Sequence, residues 1–176
     1  APLSFSIVES AENLVNISQP MVHEKNIDFR FRIKNITNEF LFADKLRVNQ
    51  IFINILSNAL KYTPKGGSVY VDMSQEPCEK PKTILLNYTV TDTGIGMSKE
   101  FMEKMYEPFV RQTDSRINTI QGTGLGLAIT KQMIDLMGGT NDCHSEVGAG
   151  TSFKVSIELP VSEMQEAEMV LPPINV

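Results

Sequence analysis

The strongest constraint on the fold is a set of four segments in which apolar residues recur at every second position. "IDFRFRI" puts Ile27, Phe29, Phe31 and Ile33 on one side and Asp28, Arg30 and Arg32 on the other. "SVYVDMS" keeps Val69, Val71 and Met73 in phase, "TILLNYTVTD" does the same with Leu86, Tyr88 and Val90, and "FKVSIEL" alternates again near the C-terminus. Successive strand side chains point to opposite faces, so each segment reads as a half-buried strand. A sheet with one apolar face must be covered, and amphipathic helical patterns are interspersed with these strands. They run from Ser4 to about Val22, from Asp44 to about Tyr62, over about Lys99 to Met105, and from near Gly124 to about Met137. The pattern predicts an α/β (α+β) two-layer sandwich, a mixed sheet with helices on one face. "EFLFAD" adds a short strand and "EPCEKPK" a polar turn between two strands at hairpin-like spacing. The first helix is expected to end near Pro20. Asp44 is placed to cap the second, which Pro64, Gly66 and Gly67 stop, and Gly138 and Gly139 end the last.

A chain of 176 residues suits one domain, assigned to 1–162, followed by an acidic, proline-bearing tail or linker at 163–176. The formal net charge of −5 argues against nucleic acid as a partner. Any anion must therefore be held by local donors. Two cysteines, Cys78 and Cys143, make no disulfide framework and fit a reducing, cytoplasmic setting. No apolar run reaches membrane-spanning length and no signal peptide opens the chain. The opening "APLSF" lacks a methionine, as in a fragment of a larger protein or a processed chain.

Within "NILSNALKYTPKGG" the second helix keeps two asparagines, although asparagine is a mediocre helix former. With Asn54 set at zero, Asn58 falls at about 40° and Lys61 at about −20° on the helical wheel. Ile51, Phe52, Ile55, Leu56, Ala59 and Leu60 sweep the adjoining apolar arc. The polar stripe fits a solvated helix face. It also fits a phosphate and metal edge, since a carboxamide oxygen is a neutral, hard Mg²⁺ ligand and lysine meets phosphate as a point charge.

Asp92 lies in phase with Leu86, Tyr88 and Val90, so its carboxylate faces the covered side of the sheet. Such a group is costly there unless paired. It can cap the turn into Thr93, Gly94, Ile95 and Gly96, or accept a hydrogen bond from an exocyclic amine such as that of adenine. A second glycine cluster, "QGTGLGLAI", leads into a helix, where backbone amides bind phosphate. Its spacing is neither the dinucleotide fingerprint nor the P-loop. Segment 107–121 is long for a connection, which favours a lid, with Arg111 and Arg116 suited to clamp phosphate oxygens.

Four blocks stand in one order: "NQIFINILSNALKYT", "DTGIGM", "EPFVR" and "GTGLGLAI", with "GAGTSFKVSIELP" behind them. Together they closely resemble the catalytic ATP-binding domain of bacterial two-component sensor histidine kinases, including hybrid kinases. That fold is shared with the gyrase, heat-shock-chaperone and mismatch-repair ATPases. The likeness covers roughly residues 1–160. It implies ATP and Mg²⁺ as cofactors, with Asn58 as the metal ligand and Asn54, Asn58 and Lys61 as the catalytic set. Lys61 resembles the phosphate-contacting lysine, and Tyr62 a residue beside the nucleotide. Asp92 resembles the adenine-reading aspartate, with Gly94 and Gly96 shaping its wall. Phe109 fits the aromatic at the lid base, with Arg111, Arg116 and Gln121 as lid candidates. Gly122, Thr123, Gly124, Leu125 and Gly126 resemble the phosphate side. Thr151 resembles the hydroxyl that supports water on the adenine side.

In the hydrolysing members of the superfamily, the resemblance implies a glutamate where this chain has Asn54. A carboxamide cannot take a proton from water at neutral pH. The expected reaction is therefore transfer of the ATP γ-phosphate to a histidine, with catalysis by positioning and charge neutralisation. The alternatives are a hydrolysing ATPase and a nucleotide-binding regulatory module. His23 in "HEKNID" lacks the acceptor pattern, and His144 reads as structural or exposed. The implied partners are a dimerisation and acceptor-histidine domain of the same protein, preceding residue 1, and a response regulator or receiver domain. The implied whole is a membrane-associated homodimer with this domain on its cytoplasmic side.

Overall fold

A computed structural model describes residues 1–104, 126–163 and 174–175. The strands are β1 (Leu3–Ser6), β2 (Asp28–Lys34), β3 (Phe40–Ala43), β4 (Ser68–Pro77), β5 (Thr83–Asp92), β6 (Thr140–Glu146), β7 (Gly150–Pro160) and β8 (Ile174–Asn175). The helices are α1 (Ile7–Glu24), α2 (Lys45–Tyr62), α3 (Lys99–Lys104) and α4 (Gly126–Leu136). The main sheet has the order β6-β7-β5-β4-β2-β8. β2 and β4 are parallel and every other pair is antiparallel, so the sheet is mixed as expected.

The alternation sorts the faces as the sequence implies. Phe31, Ile33, Val69, Val71, Met73, Leu86, Tyr88, Val90, Val155 and Ile157 are buried on the helix side. Ile7 and Leu14 from α1, the apolar arc of α2 and Ile134 from α4 close over them. Each large aliphatic or aromatic side chain removed from water in this way contributes about 1.5–3 kcal/mol. Asp44 caps α2 as expected, its carboxylate accepting from the Arg47 amide at 3.3 Å. The helix ends at Tyr62, ahead of Pro64.

Three features depart from the sequence reading. The first helix begins at Ile7, because Leu3–Ser6 form a strand instead. That strand pairs with β3 in a separate two-stranded sheet, so "EFLFAD" does not join the main one. Ser6 then serves as N-cap, its hydroxyl accepting from the Glu9 amide. The helix also runs past Pro20 to Glu24. Proline removes one helical amide near the end, and packing of Met21 and Val22 on the core sustains the last turn. The amides of Lys25, Ile27 and Asn26 bond the carbonyls of Met21, Val22 and His23. Within 163–176, Ile174 and Asn175 pair with Ile33 and Arg32 of β2. No helix among the described residues is long and apolar enough to cross a membrane.

Candidate functional site

The polar stripe of α2 and the inward carboxylate of β5 meet at one end of the sandwich. Tyr88, two pairs of residues before Asp92 on the same strand face, is fully buried and donates its hydroxyl to the Phe52 carbonyl at 3.0 Å. The Phe52 and Tyr88 rings lie 4.4 Å apart between centroids. This contact fixes α2 against β5, and burial keeps the Tyr88 phenol protonated. At the far end of both elements, a side chain at Gly94 would come within 2.6 Å of the Tyr62 carbonyl and 2.8 Å of an Asp92 carboxylate oxygen. Glycine is therefore required where the loop after β5 slides under the end of α2.

Asp92 is 8% exposed and faces the helix side of the sheet, as its phase predicts. The Gly94 amide donates to its carboxylate at 2.8 Å. Desolvation pushes its pKa up to about 6, against the opposing pull of backbone amides at Gly94 and Thr151. Thr151 stands directly across from Asp92 on β7, on the same face. Gly96 has φ +72°, and a side chain there would collide with the Glu146 carbonyl at the end of β6. The loop is thereby clasped between α2 and the β6–β7 hairpin, and the Gly148 amide bonds the Ile95 carbonyl at 2.7 Å.

Along α2, the apolar arc is buried and Asn54, Asn58, Lys61 and Tyr62 are half-buried at its border. Asn54 is engaged at both ends. Its oxygen accepts from Gln50 Nε2 at 2.6 Å, and its Nδ2 donates to Thr130 Oγ1 of α4 at 3.1 Å. The side chains of Asn58 and Lys61 make no hydrogen bond among the described residues. A carboxamide oxygen and an ammonium thus stand one turn apart at the border of α2, with no hydrogen-bond partner among the described residues. Gly126 opens α4. Phe109, Arg111, Arg116, Gln121, Gly122, Thr123, Gly124 and Leu125 lie outside the described residues. His23 is exposed in the last turn of α1. His144 is exposed on β6 beside Asp142, in line with the sequence reading.

Two contributors escaped the sequence. Lys25, in the "HEKNID" segment weighed only for its histidine, reaches across to α2. Its ammonium donates to the carbonyls of Leu60, Lys61 and Thr63 at 2.8, 2.8 and 3.0 Å. All three of its protons are used on the end of the helix that carries Lys61 and Tyr62. Burial lowers its pKa, partly offset by Glu24. Ser145 on β6 bonds both Thr151 and the loop amide of Met97. Its place just ahead of the glycine-rich turn that leads into "GTSF" was the available signal.

The sequence profile described as Histidine kinase-, DNA gyrase B-, and HSP90-like ATPase matches residues 43–162. The chain belongs to that family. The matched span runs from the end of β3 through α2 and the Asp92 loop to the residues just past β7. Among full-length relatives, it is 34% identical over 172 residues to the autoinducer 2 sensor kinase/phosphatase LuxQ of Vibrio harveyi, covering 98% of this chain and 19% of that protein. It is 33% identical to hybrid signal transduction histidine kinase A of Dictyostelium discoideum, covering 97% of this chain and 8% of that protein. The chain thus spans a fifth or less of these relatives. The structure of full-length ShkA in complex with AMPPNP superposes with a TM-score of 0.75 at 27% identity, covering 92% of this chain and 32% of that one. The family and its sensor-kinase relatives agree with the resemblance read from the four sequence blocks, and the mixed sheet with its helices is the fold of histidine kinase catalytic domains.

Proposed function

We propose that this chain is the ATP-binding catalytic domain of a sensor histidine kinase. It transfers the γ-phosphate of ATP to a histidine on a dimerisation domain of the same protein. The observation that carries this reading is the buried, inward Asp92 carboxylate at the same end of the sandwich as Asn58 and Lys61, whose side chains have no hydrogen-bond partner among the described residues. Asp92 accepts from the exocyclic amine of adenine, with Thr151 beside it and Gly94 and Gly96 bringing backbone close to the base. The complex of ShkA with AMPPNP, an ATP analogue, supports an adenine nucleotide as the ligand. At the other end, Lys61 meets phosphate oxygens, with Arg111, Arg116, Gln121 and the glycines of 122–126 as further candidates. The donor set fits Mg²⁺: Asn58 offers a neutral hard oxygen with no competing bond among the described residues, and the triphosphate supplies the negative charge. Bound there, Mg²⁺ neutralises charge on the phosphate oxygens.

Asn54 speaks against hydrolysis. Its carboxamide is no base, and both of its ends are already bonded, to Gln50 and Thr130. An imidazole acceptor is a better nucleophile than water and needs no such base. The sensor and hybrid kinase names of the relatives support a response regulator or receiver domain as the next recipient. A membrane-associated homodimer with this domain on its cytoplasmic side is the whole that the family resemblance implies. The test mixes the chain with labelled ATP and a separate acceptor-histidine domain from the same protein. Labelled phosphohistidine that disappears with Asn58→Ala supports the kinase. ATP binding without transfer to that acceptor favours a regulatory module, and steady hydrolysis without phosphohistidine sinks the proposal.

A further inference from the structure

Three residues form one row across the covered face of the sheet. Asp92 on β5 pairs with Thr151 on β7, and Thr151 pairs with Ser145 on β6. The Ser145 hydroxyl takes part in three hydrogen bonds. The Met97 amide reaches it at 2.7 Å, it reaches the Gly150 carbonyl at 3.0 Å, and Thr151 Oγ1 lies 2.7 Å away. A hydroxyl has one proton to give and two lone pairs to receive. An amide can only donate and a carbonyl can only accept. The Ser145 proton therefore goes to Gly150, the Met97 amide fills one lone pair, and the Thr151 hydroxyl must fill the other by donating. Every hydrogen-bonding position of Ser145 is used, and the direction of the Ser145–Thr151 bond is fixed.

We infer that Ser145 is a positioning residue that draws the Thr151 proton away from the nucleotide, leaving Thr151 and Asp92 to present only acceptors to the base. This rests on the ATP reading above. Two acceptors side by side, each in direct contact with the base, match an amine on the purine ring and oppose a carbonyl at the same position. Adenine carries the amine; hypoxanthine carries a carbonyl in its place and a hydrogen on the neighbouring ring nitrogen. Selectivity between them is then set partly by a serine that touches neither. Without the Ser145 oxygen, the Thr151 hydroxyl is free to turn and donate to a carbonyl, and the preference for the amine weakens.

The test is the ratio of ATP to inosine triphosphate affinity, measured by titration calorimetry on the whole chain. Wild type is expected to favour ATP strongly. Ser145→Ala is expected to cut that ratio about tenfold, the scale of one hydrogen bond gained or lost at a buried site. Ser145→Thr, which restores the hydroxyl, is expected to keep the ratio within about twofold. Ser145→Cys, nearly isosteric and weakly hydrogen-bonding, gives the same reading if Ser145→Ala does not fold. In a Thr151→Val background, Ser145→Ala is expected to change the ratio no further, since no hydroxyl remains to be oriented. Equal losses of ATP and inosine triphosphate affinity in Ser145→Ala, or a further loss of ratio in the double variant, overturn the inference while ATP binding stands. Wild type that binds neither nucleotide overturns the ATP reading and this inference together.

Discussion

The two ends of the candidate site are built differently. At the β5 end, Asp92, Thr151, Ser145, Gly94 and Gly96 are bound to one another and to the backbone around them, and a side chain on either glycine would strike a carbonyl oxygen. At the α2 edge, Asn58 and Lys61 are half-exposed and their polar atoms have no hydrogen-bond partner among the described residues. The first end is complete in the protein alone, as rigid recognition of a planar base requires. Under the proposed function, the second consists of groups that would gain partners from a triphosphate and its metal. The contrast carries a stability consequence. A side chain forced into the close backbone approaches at Gly94 or Gly96 loosens the chain, whereas truncation of Asn58 or Lys61 leaves the fold intact.

Gly96→Ala is the largest expected breach of that contrast. Its side chain meets the Glu146 carbonyl in a left-handed backbone conformation, and we expect a loss of about 3 kcal/mol or more in urea unfolding. A variant as stable as wild type would mean that the loop is not clasped as described.

Asp92→Asn comes next. Loss of the ionised acceptor is expected to lower ATP affinity by about 1.5–3 kcal/mol, read by calorimetry. The same substitution should stabilise the free chain in a pH-dependent way. Asp92 has a folded pKa of about 6, above the ordinary carboxylate value, so its ionised form opposes folding. That opposition is fully present above about pH 6 and fades as pH falls toward the ordinary range near 4. The gap in Tm between Asp92→Asn and wild type should therefore be widest at neutral pH and close as the solution is acidified through 6. A gap that is flat with pH would contradict the burial argument.

Lys25→Met tests the join between the two ends. It strips three carbonyls at the end of α2 of their shared donor. We expect a loss of about 1–2 kcal/mol in denaturant unfolding, with partial recovery in Lys25→Arg. Lys61→Met, at the free edge, is expected to move stability by no more than about 0.5 kcal/mol while weakening ATP binding. If Lys61→Met destabilises as much as Lys25→Met, the edge is structural and the contrast fails.

How much of this was legible depended on whether the partners were close in sequence. The strands β2, β4, β5 and β7 announced themselves by alternation, and the phase of that alternation placed Asp92 inward. Asp44 capped α2 within four residues, and the helical wheel separated Asn58 and Lys61 from the buried arc. β1 was hidden because "LSFS" is too short to show a period and pairs with a strand far along the chain, Ser4 with Phe42. Lys25 and its acceptors are 35 to 38 residues apart, so only folding brings them together. Ser145 drew no reading from the sequence, because the Met97 amide that it accepts from is 48 residues away. The doubly bonded state of Asn54 likewise depends on Thr130, 76 residues away. The roles assigned to Phe109, Arg111, Arg116 and the run from Gln121 to Leu125 rest on resemblance alone.

The central claim is that one ATP molecule spans both ends, its base on the preformed end and its phosphates with Mg²⁺ on the α2 edge. The most direct measurement is ATP affinity with and without Mg²⁺ for wild type and Asn58→Ala, with unfolding followed in parallel. The account predicts that Mg²⁺ tightens ATP binding to wild type, that Asn58→Ala abolishes this gain, and that its Mg²⁺-free affinity and its stability stay close to wild type. An Asn58→Ala variant that keeps the full Mg²⁺ effect would contradict it.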